Sequence, residues 1–212
     1  MHVIWSDECA IQRDSDPRQV YVFRHQTKEE KYALKNVQQK SKGGSLSQMI
    51  WGCFVGNKLG PIVFIHGTVN SKAYIDILDQ NLIPFIDVLG ADGITNVVFQ
   101  QDNATAHTAK KTREFFDSSM IEHGFLLMQW PANSPDLNLI EHLWAHLKLE
   151  LNRQFPDTSK LTGPPATIRA ELTERLMKIW WSIDEEVLNS LILSMSDRLQ
   201  EVIDADGWYT SY

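Results

Sequence analysis

"VVFQQDNATAH", residues 97–107, is an apolar run that stops abruptly on two glutamines, an aspartate and an asparagine. A short, continuous apolar run is the mark of a strand covered on both faces, as in the middle of an α/β sheet. Its polar ending has two readings. Asp and Asn suit a surface turn. A carboxylate at the carboxyl end of a buried strand also stands where α/β sheets gather their sites. The flanking residues decide which.

Upstream, the chain reads as strands. "HVIW" (2–5) is apolar and is followed by Asp7, and "VYVFR" (20–24) is β-branched and aromatic. "SQMIWGCFV" (47–55) and "GPIVFIH" (60–66) flank "GNKLG", a hairpin turn, with Gly43, Gly44 and Ser45 giving a flexible approach. Asn70 or Ser71 can cap a helix carrying Tyr74, Ile77, Leu78 and Leu82 at helical spacing. Pro84 should kink or restart it, and Gly90 should end it. Downstream, a helix is expected from Thr105 to Phe116, then a strand at "GFLLMQW" (124–130) and a helix from Leu139 to Leu151. A Pro/Gly-rich connection (155–167) leads to a helix marked by Ile168, Leu172, Leu176 and Ile179. A last helix carries Leu188, Leu191, Ile192, Met195, Leu199 and Val202, with Asp184, Glu185 and Glu186 near its start. Antiparallel strands followed by alternating helices and strands make a mixed α/β domain.

The totals are those of an ordinary globular chain: 212 residues, 43% hydrophobic and 22% charged. No run of 18 apolar residues offers a membrane span. "MHVIWSDECA" lacks the basic and apolar regions of a secretory signal. Cys9 and Cys53 are too few for a disulfide scaffold, so reduced thiols in an intracellular protein are expected. A net charge of −7 argues against a surface that coats nucleic acid indiscriminately. The charge is uneven, however. Six Lys/Arg between Arg24 and Lys42 face only Glu29 and Glu30, whereas nine acids between Glu171 and Asp206 face Arg175, Lys178 and Arg198.

Asp7 and Asp102 each follow an apolar strand, and two strand-end acids on neighbouring strands can share a hard cation. A third acid lies in "WPANSPDLNLIEHLW" (130–144), where a turn precedes a helix that Asn138 can cap. With Ile140 at the centre of the apolar stripe, Leu143, Leu147 and Leu151 fall within about 60° of it and Glu141 at about 100°. Glu141 therefore stands at the edge of the buried face, one turn into the helix. Asp136, inside the turn, suits a structural part. His142 and His146 have zinc-compatible spacing but lie opposite the apolar stripe with no third ligand apparent, so a solvated face is expected. Trp51, Trp130 and Trp144 are expected in the core.

"VIWSDE", "GGSLSQMIWGCF", "VVFQQDNATAHTA" and "WPANSPDLNLIEHLW", in this order, resemble the catalytic domain of the Tc/mariner superfamily of cut-and-paste DNA transposases. The resemblance runs from about residue 3 to 150. It implies an RNase H-like fold: a mixed five-stranded sheet flanked by helices, with extra C-terminal helices (167–203), in one domain over residues 1–212. It implies Asp7, Asp102 and Glu141 as a metal-binding catalytic triad for two Mg²⁺ (or Mn²⁺) ions, Asp7 bridging both. The activity implied is phosphodiester hydrolysis at transposon ends and 3′-hydroxyl attack on target DNA. Residues 24–45 match the family's extended loop, which contacts DNA or a partner subunit. Asn103, His107, Lys35, Lys40 and Lys42 are candidate substrate contacts. The implied partners are DNA and a second copy in a homodimer, with no membrane, in the nucleus if the source is eukaryotic.

The sequence departs from the family pattern twice. Between Asp102 and Glu141 lie 38 residues, more than in the family's commonest subgroup. The surplus falls at "DSSMIEHG" (117–124), where a longer loop is expected. The family has an N-terminal helix-turn-helix region, whereas the resemblance here starts at the catalytic domain, so a truncated piece, a fragmentary copy or a domesticated remnant is expected. The alternatives are thus an inactive, transposase-derived DNA-binding or protein-interaction module and a generic RNase H-like nuclease. The "SPDLNLIEHLW" run argues against the latter.

Overall fold

Strand β1 (His2–Gln12) alternates its side chains between two cores, and this alternation organises the domain. In the computed structural model, which describes residues 2–13, 46–208 and 210, Trp5, Cys9 and Ile11 enter one core and Ile4 the other. The strand read at 20–24, the extended loop at 24–45, Gly43 to Ser45 and Lys35, Lys40 and Lys42 lie outside the described residues. β1 is longer than "HVIW" suggests, so Asp7 stands within the strand rather than after it. The polar residues Ser6, Asp7 and Glu8 hide this continuation from a reading based on apolar runs.

β2 (Ser47–Val55) and β3 (Lys58–Ile65) form the expected hairpin, turning at Gly56, whose φ of 54° favours glycine. Their register shifts between Gly52 and Phe54, a bulge that accommodates Pro61 in the edge strand. β4 (Val97–Phe99) and β5 (Leu126–Leu127) complete a five-stranded sheet in the order β3-β2-β1-β4-β5. β1 pairs antiparallel with β2 and parallel with β4, and β4 runs parallel to β5. β4 is buried throughout, as its apolar run predicts. β5 keeps two residues of the seven read as strand, because its partner β4 ends at Phe99, whose carbonyl takes the last pairing bond, from the Met128 amide at 2.8 Å.

One face of the sheet carries α1 (Ser71–Ile77), a π-turn (Leu78–Leu82), α2 (Ile83–Ala91) and α3 (Lys110–His123). Asn70 caps α1 by accepting from the Ala73 amide at 3.0 Å. The π-turn precedes Pro84, which lacks the amide a regular helix would use. α3 starts five residues later than expected and runs to His123, with Gly124 in the left-handed region (φ 68°) closing it. The surplus "DSSMIEHG" therefore lengthens a helix, not a loop.

The other face carries α4 (Leu139–Gln154), α5 (Pro165–Trp180) and α6 (Glu185–Leu193). Trp144 of α4 stacks on Trp180 of α5 at 5.5 Å, and the Trp180 indole donates to the Gly60 carbonyl at the bulge. The helix read as running from 188 to 202 breaks at Ser194 into α6 and α7 (Met195–Asp204). Cys9 and Cys53 are both buried, free, and in different cores. No described helix is long and apolar enough to cross a membrane.

Candidate active site

The strand that decides the fold also builds the site. Beyond Phe99 the chain is stapled to β1. The Gln100 amide donates to the Ile4 carbonyl at 2.9 Å, the Ser6 hydroxyl donates to the Gln100 carbonyl at 2.8 Å, and the Ser6 amide donates to Gln100 Oε1 at 3.2 Å. Asp102 thus leaves β4 beside Asp7 of β1. Glu141 comes from the first turn of α4, whose apolar residues Ile140, Leu143, Trp144 and Leu147 are packed in the core. Asp7, Asp102 and Glu141 line one cleft of about 390 Å³, with Asn103, Trp130, Ser134 and Asn138 on its walls.

Asp7 projects with Trp5 and Cys9 toward α4, opposite Gly52 of β2. A β-carbon on Gly52 would stand 2.8 Å from the Trp144 ring, so this position has room only for glycine. Asp7 Oδ1 accepts from the Glu8 amide at 2.7 Å, and Oδ2 lies 3.5 Å from Asn138 Nδ2. Burial, then the charges of Glu141 and Glu8, raise its carboxyl to about 8. Asp102 is half exposed and differs: the His107 hydrogen bond and the Ala104 amide hold it below the usual range. Asp102 Oδ1 lies 2.6 Å from His107 Nδ1 and accepts from the Ala104 amide at 2.9 Å. The other imidazole nitrogen lies 3.3 Å from Glu8 Oε1. Burial pulls His107 down, but its bonds to Asp102 and Glu8 outweigh this and raise it to about 9.

Asn103 donates to the Trp130 carbonyl at 3.0 Å, tying the Asp102 turn to the segment after β5. Trp130 is half-buried, not core as expected. It packs edge-on against Trp5 at 6.0 Å and lines the cleft, whereas Trp51 and Trp144 are buried. Asn138 precedes α4, but its amide reaches Ser6 O (3.3 Å) and Asp7 instead of capping the helix. Asp136 accepts from Arg198 at its carbonyl (2.6 Å) and from Thr210 at its carboxylate (3.1 Å), a structural tie to the C-terminal helix. His142 and His146 are half-buried on α4.

Three contributors escaped the sequence reading: Glu8, Asn138 as a partner of Asp7, and Tyr74, whose ring lies 4.0 Å from that of His107. Glu8 had a signal. Once β1 continues past Trp5, alternation sends Asp7 and Glu8 to opposite faces.

Among the described residues, no three His, Cys, Asp or Glu side chains already stand together as a metal-holding group. The donor set nevertheless fits a hard divalent cation. Three carboxylates surround one cleft, and ionised Asp7 faces a negative charge that a cation offsets.

Known proteins resemble this chain in sequence and in fold. The DDE superfamily endonuclease family matches residues 2–162. The Tcb2 transposase of Caenorhabditis briggsae is 34% identical across 85% of this chain and 59% of its own length. The Tc1 transposase of Caenorhabditis elegans is 32% identical across 99% of the chain and 70% of its own length. The chain thus spans about 59% of the Tcb2 transposase. Among solved structures, the Mos1 mariner paired-end complex with Mn superposes with a TM-score of 0.71 at 19% identity, covering 99% of this chain and 56% of that one. The Mos1 catalytic domain with raltegravir and Mg gives 0.64 at 18% identity, covering 99% and 85%. These likenesses show a common RNase H-like fold. By family match and by sequence identity, the chain belongs to the DDE superfamily endonucleases, among the transposases of the Tc/mariner type.

Proposed function

We propose that this chain is the catalytic part of a metal-dependent, cut-and-paste DNA transposase. It would hydrolyse phosphodiesters at transposon ends and join the freed 3′-hydroxyl to target DNA. The observation that carries this reading is the convergence of Asp7, Asp102 and Glu141, from three separate elements, on one cleft. These carboxylates would hold two divalent cations, Mg²⁺ or Mn²⁺. Bound there, such ions would neutralise the phosphate and activate the attacking oxygen. The chain's own residues do the rest. Asn138 and the Glu8 amide orient Asp7, Asn103 fixes the Asp102 turn to Trp130, and Trp130 forms part of the cleft wall. DNA is the partner, and a homodimer in the nucleus is the expected working form. Lys35, Lys40 and Lys42 are proposed phosphate contacts from their charge alone.

The test is calorimetric titration of Mn²⁺ into the wild type and Asp102→Ala, alongside nicking of supercoiled DNA with Mg²⁺. Loss of a candidate ligand should weaken binding by at least about tenfold, since even supporting partners of metal ligands are worth that much, and nicking should vanish. Equal binding by both proteins, or none by either, would remove the basis of the reading and favour a remnant that no longer catalyses.

A further inference from the structure

Asp102 is treated asymmetrically by its surroundings. Oδ1 is taken twice, by an ion-pair contact with His107 Nδ1 at 2.6 Å and by the Ala104 amide at 2.9 Å, and the same Nδ1 also lies 3.3 Å from the Asp102 carbonyl, so the ring is tied to this residue at both its carboxylate and its backbone. Oδ2 accepts no hydrogen bond from the described residues. A carboxylate held by one oxygen cannot turn about its last bond, so only the other oxygen is available to the cleft. That leaves Asp102 prepared to bind through a single oxygen.

The imidazole that imposes this is itself held from three sides. His107 is only 4% exposed, so it is a buried support and not a surface side chain. Its far nitrogen faces Glu8 Oε1 at 3.3 Å, across 99 residues of sequence. Its ring lies against Tyr74 at 4.0 Å and 30°. The Tyr74 hydroxyl then donates to Gln101 Oε1 at 2.7 Å, the residue before Asp102. β1, α1 and the turn after β4 thus meet at one ring. Alternation along β1 provides the link, with Asp7 facing the cleft and Glu8 facing the support.

We propose that His107 is the positioning residue of Asp102: its Nδ1–H pins Oδ1, Glu8 and Tyr74 fix the ring, and Oδ2 is thereby presented to the cation. This rests on the reading of Asp102 as a metal ligand. The role differs from general packing or charge, because it belongs to one nitrogen. An asparagine amide can stand where Nδ1 stands, whereas a glutamine amide reaches the position of the far nitrogen. The two substitutions therefore separate the bond to Asp102 from the bond to Glu8.

The experiment compares Mn²⁺ affinity by calorimetry for the wild type, Asp102→Ala, His107→Ala, His107→Asn and His107→Gln, each checked for a cooperative thermal melt. His107→Asn should stay within about threefold of the wild type, while His107→Gln and His107→Ala should lose about 10- to 100-fold, the range for supporting partners of metal ligands. If His107→Ala does not fold, the Asn/Gln comparison carries the test. Equal affinity for Asn and Gln variants, at either level, overturns the proposal. If those variants bind like the wild type while Asp102→Ala does not, the positioning role falls and the metal site stands. Failure of the wild type to bind, or retention by Asp102→Ala, brings down the metal-ligand reading and the positioning role with it.

Discussion

Asp7 faces Glu141 across the cleft with its carboxyl raised to about 8, against 3.8 for the ordinary group. The folded protein therefore keeps a proton that the unfolded chain releases, and between these values stability falls as pH rises. The contribution is complete below about pH 4 and lost by the time pH passes about 8. Asp7→Asn removes a charge that only the folded state finds costly. The variant should melt higher than the wild type at pH 8 without divalent ions, by about 2–4 °C for each kcal/mol relieved. Near pH 4 the two should coincide. Added Mg²⁺ should raise the wild type and not the variant. A variant that melts lower than the wild type at pH 8 would show that Asp7 is held by contacts stronger than its repulsion. The same residue marks the reach of sequence reading. Asp7, Asp102 and Glu141 were identifiable because each stands near an apolar run or stripe. Tyr74 was not, since its part depends on a ring stack between elements, and Glu8 shows its face only once β1 is known to continue past Trp5.

Among the elements, those with strong periodicity matched their reading. The β2–β3 hairpin, α4 and α5 carry alternating or helical apolar patterns and turn residues that agree with one another. β5 and the start of α3 did not match, because tertiary contacts set their ends: the Met128–Phe99 bond for one, the Asp102–Ala104–His107 turn for the other. The connection between α4 and α5 was read as a Pro/Gly-rich loop, yet it is anchored by Arg175. This side chain, 7% exposed, donates to both carboxylate oxygens of Asp157 at 2.9 Å, to Thr158 at 2.9 Å and to Glu171 at 2.8 Å, and lies over the Phe155 ring. Arg175→Met keeps the apolar stem and removes the donors. It should cost about 1–2 kcal/mol, chiefly the bond to buried Thr158, because water takes over from the lost donors at the exposed Asp157 and Glu171 carboxylates, seen as a lower denaturation midpoint with unchanged slope. A loss under about 0.5 kcal/mol, the usual range for surface substitutions, would mean the connection is held by Phe155 and Thr158 alone.

At the scale of the whole molecule, the family match ends at residue 162 but the core does not. Leu172, Leu176, Ile179, Trp180, Ile183 and Leu188 all enter the same core as Trp5, Ile140, Leu143 and Trp144. Trp180 also binds the β3 bulge through Gly60, so the helices beyond 162 are packed on the sheet that carries Asp7. Each of those six side chains contributes about 1.5–3 kcal/mol by burial, and together they rival the entire stability of a typical domain, about 5–15 kcal/mol. A chain ending at residue 162 would remove Trp180, uncover the face of the Trp144 ring that it stacks on, and leave Gly52 covered by one indole instead of two. It should therefore lose its cooperative melt and bind a hydrophobic dye, whereas residues 1–212 should melt in one transition. Because α4 carries Glu141 on this same core, Mn²⁺ binding should be lost with the fold. A cooperative melt of the 1–162 chain would separate the C-terminal helices from the catalytic domain and make them an accessory layer. Its absence would mean that the unit that folds, and positions the carboxylates, extends past the unit that the family pattern recognises.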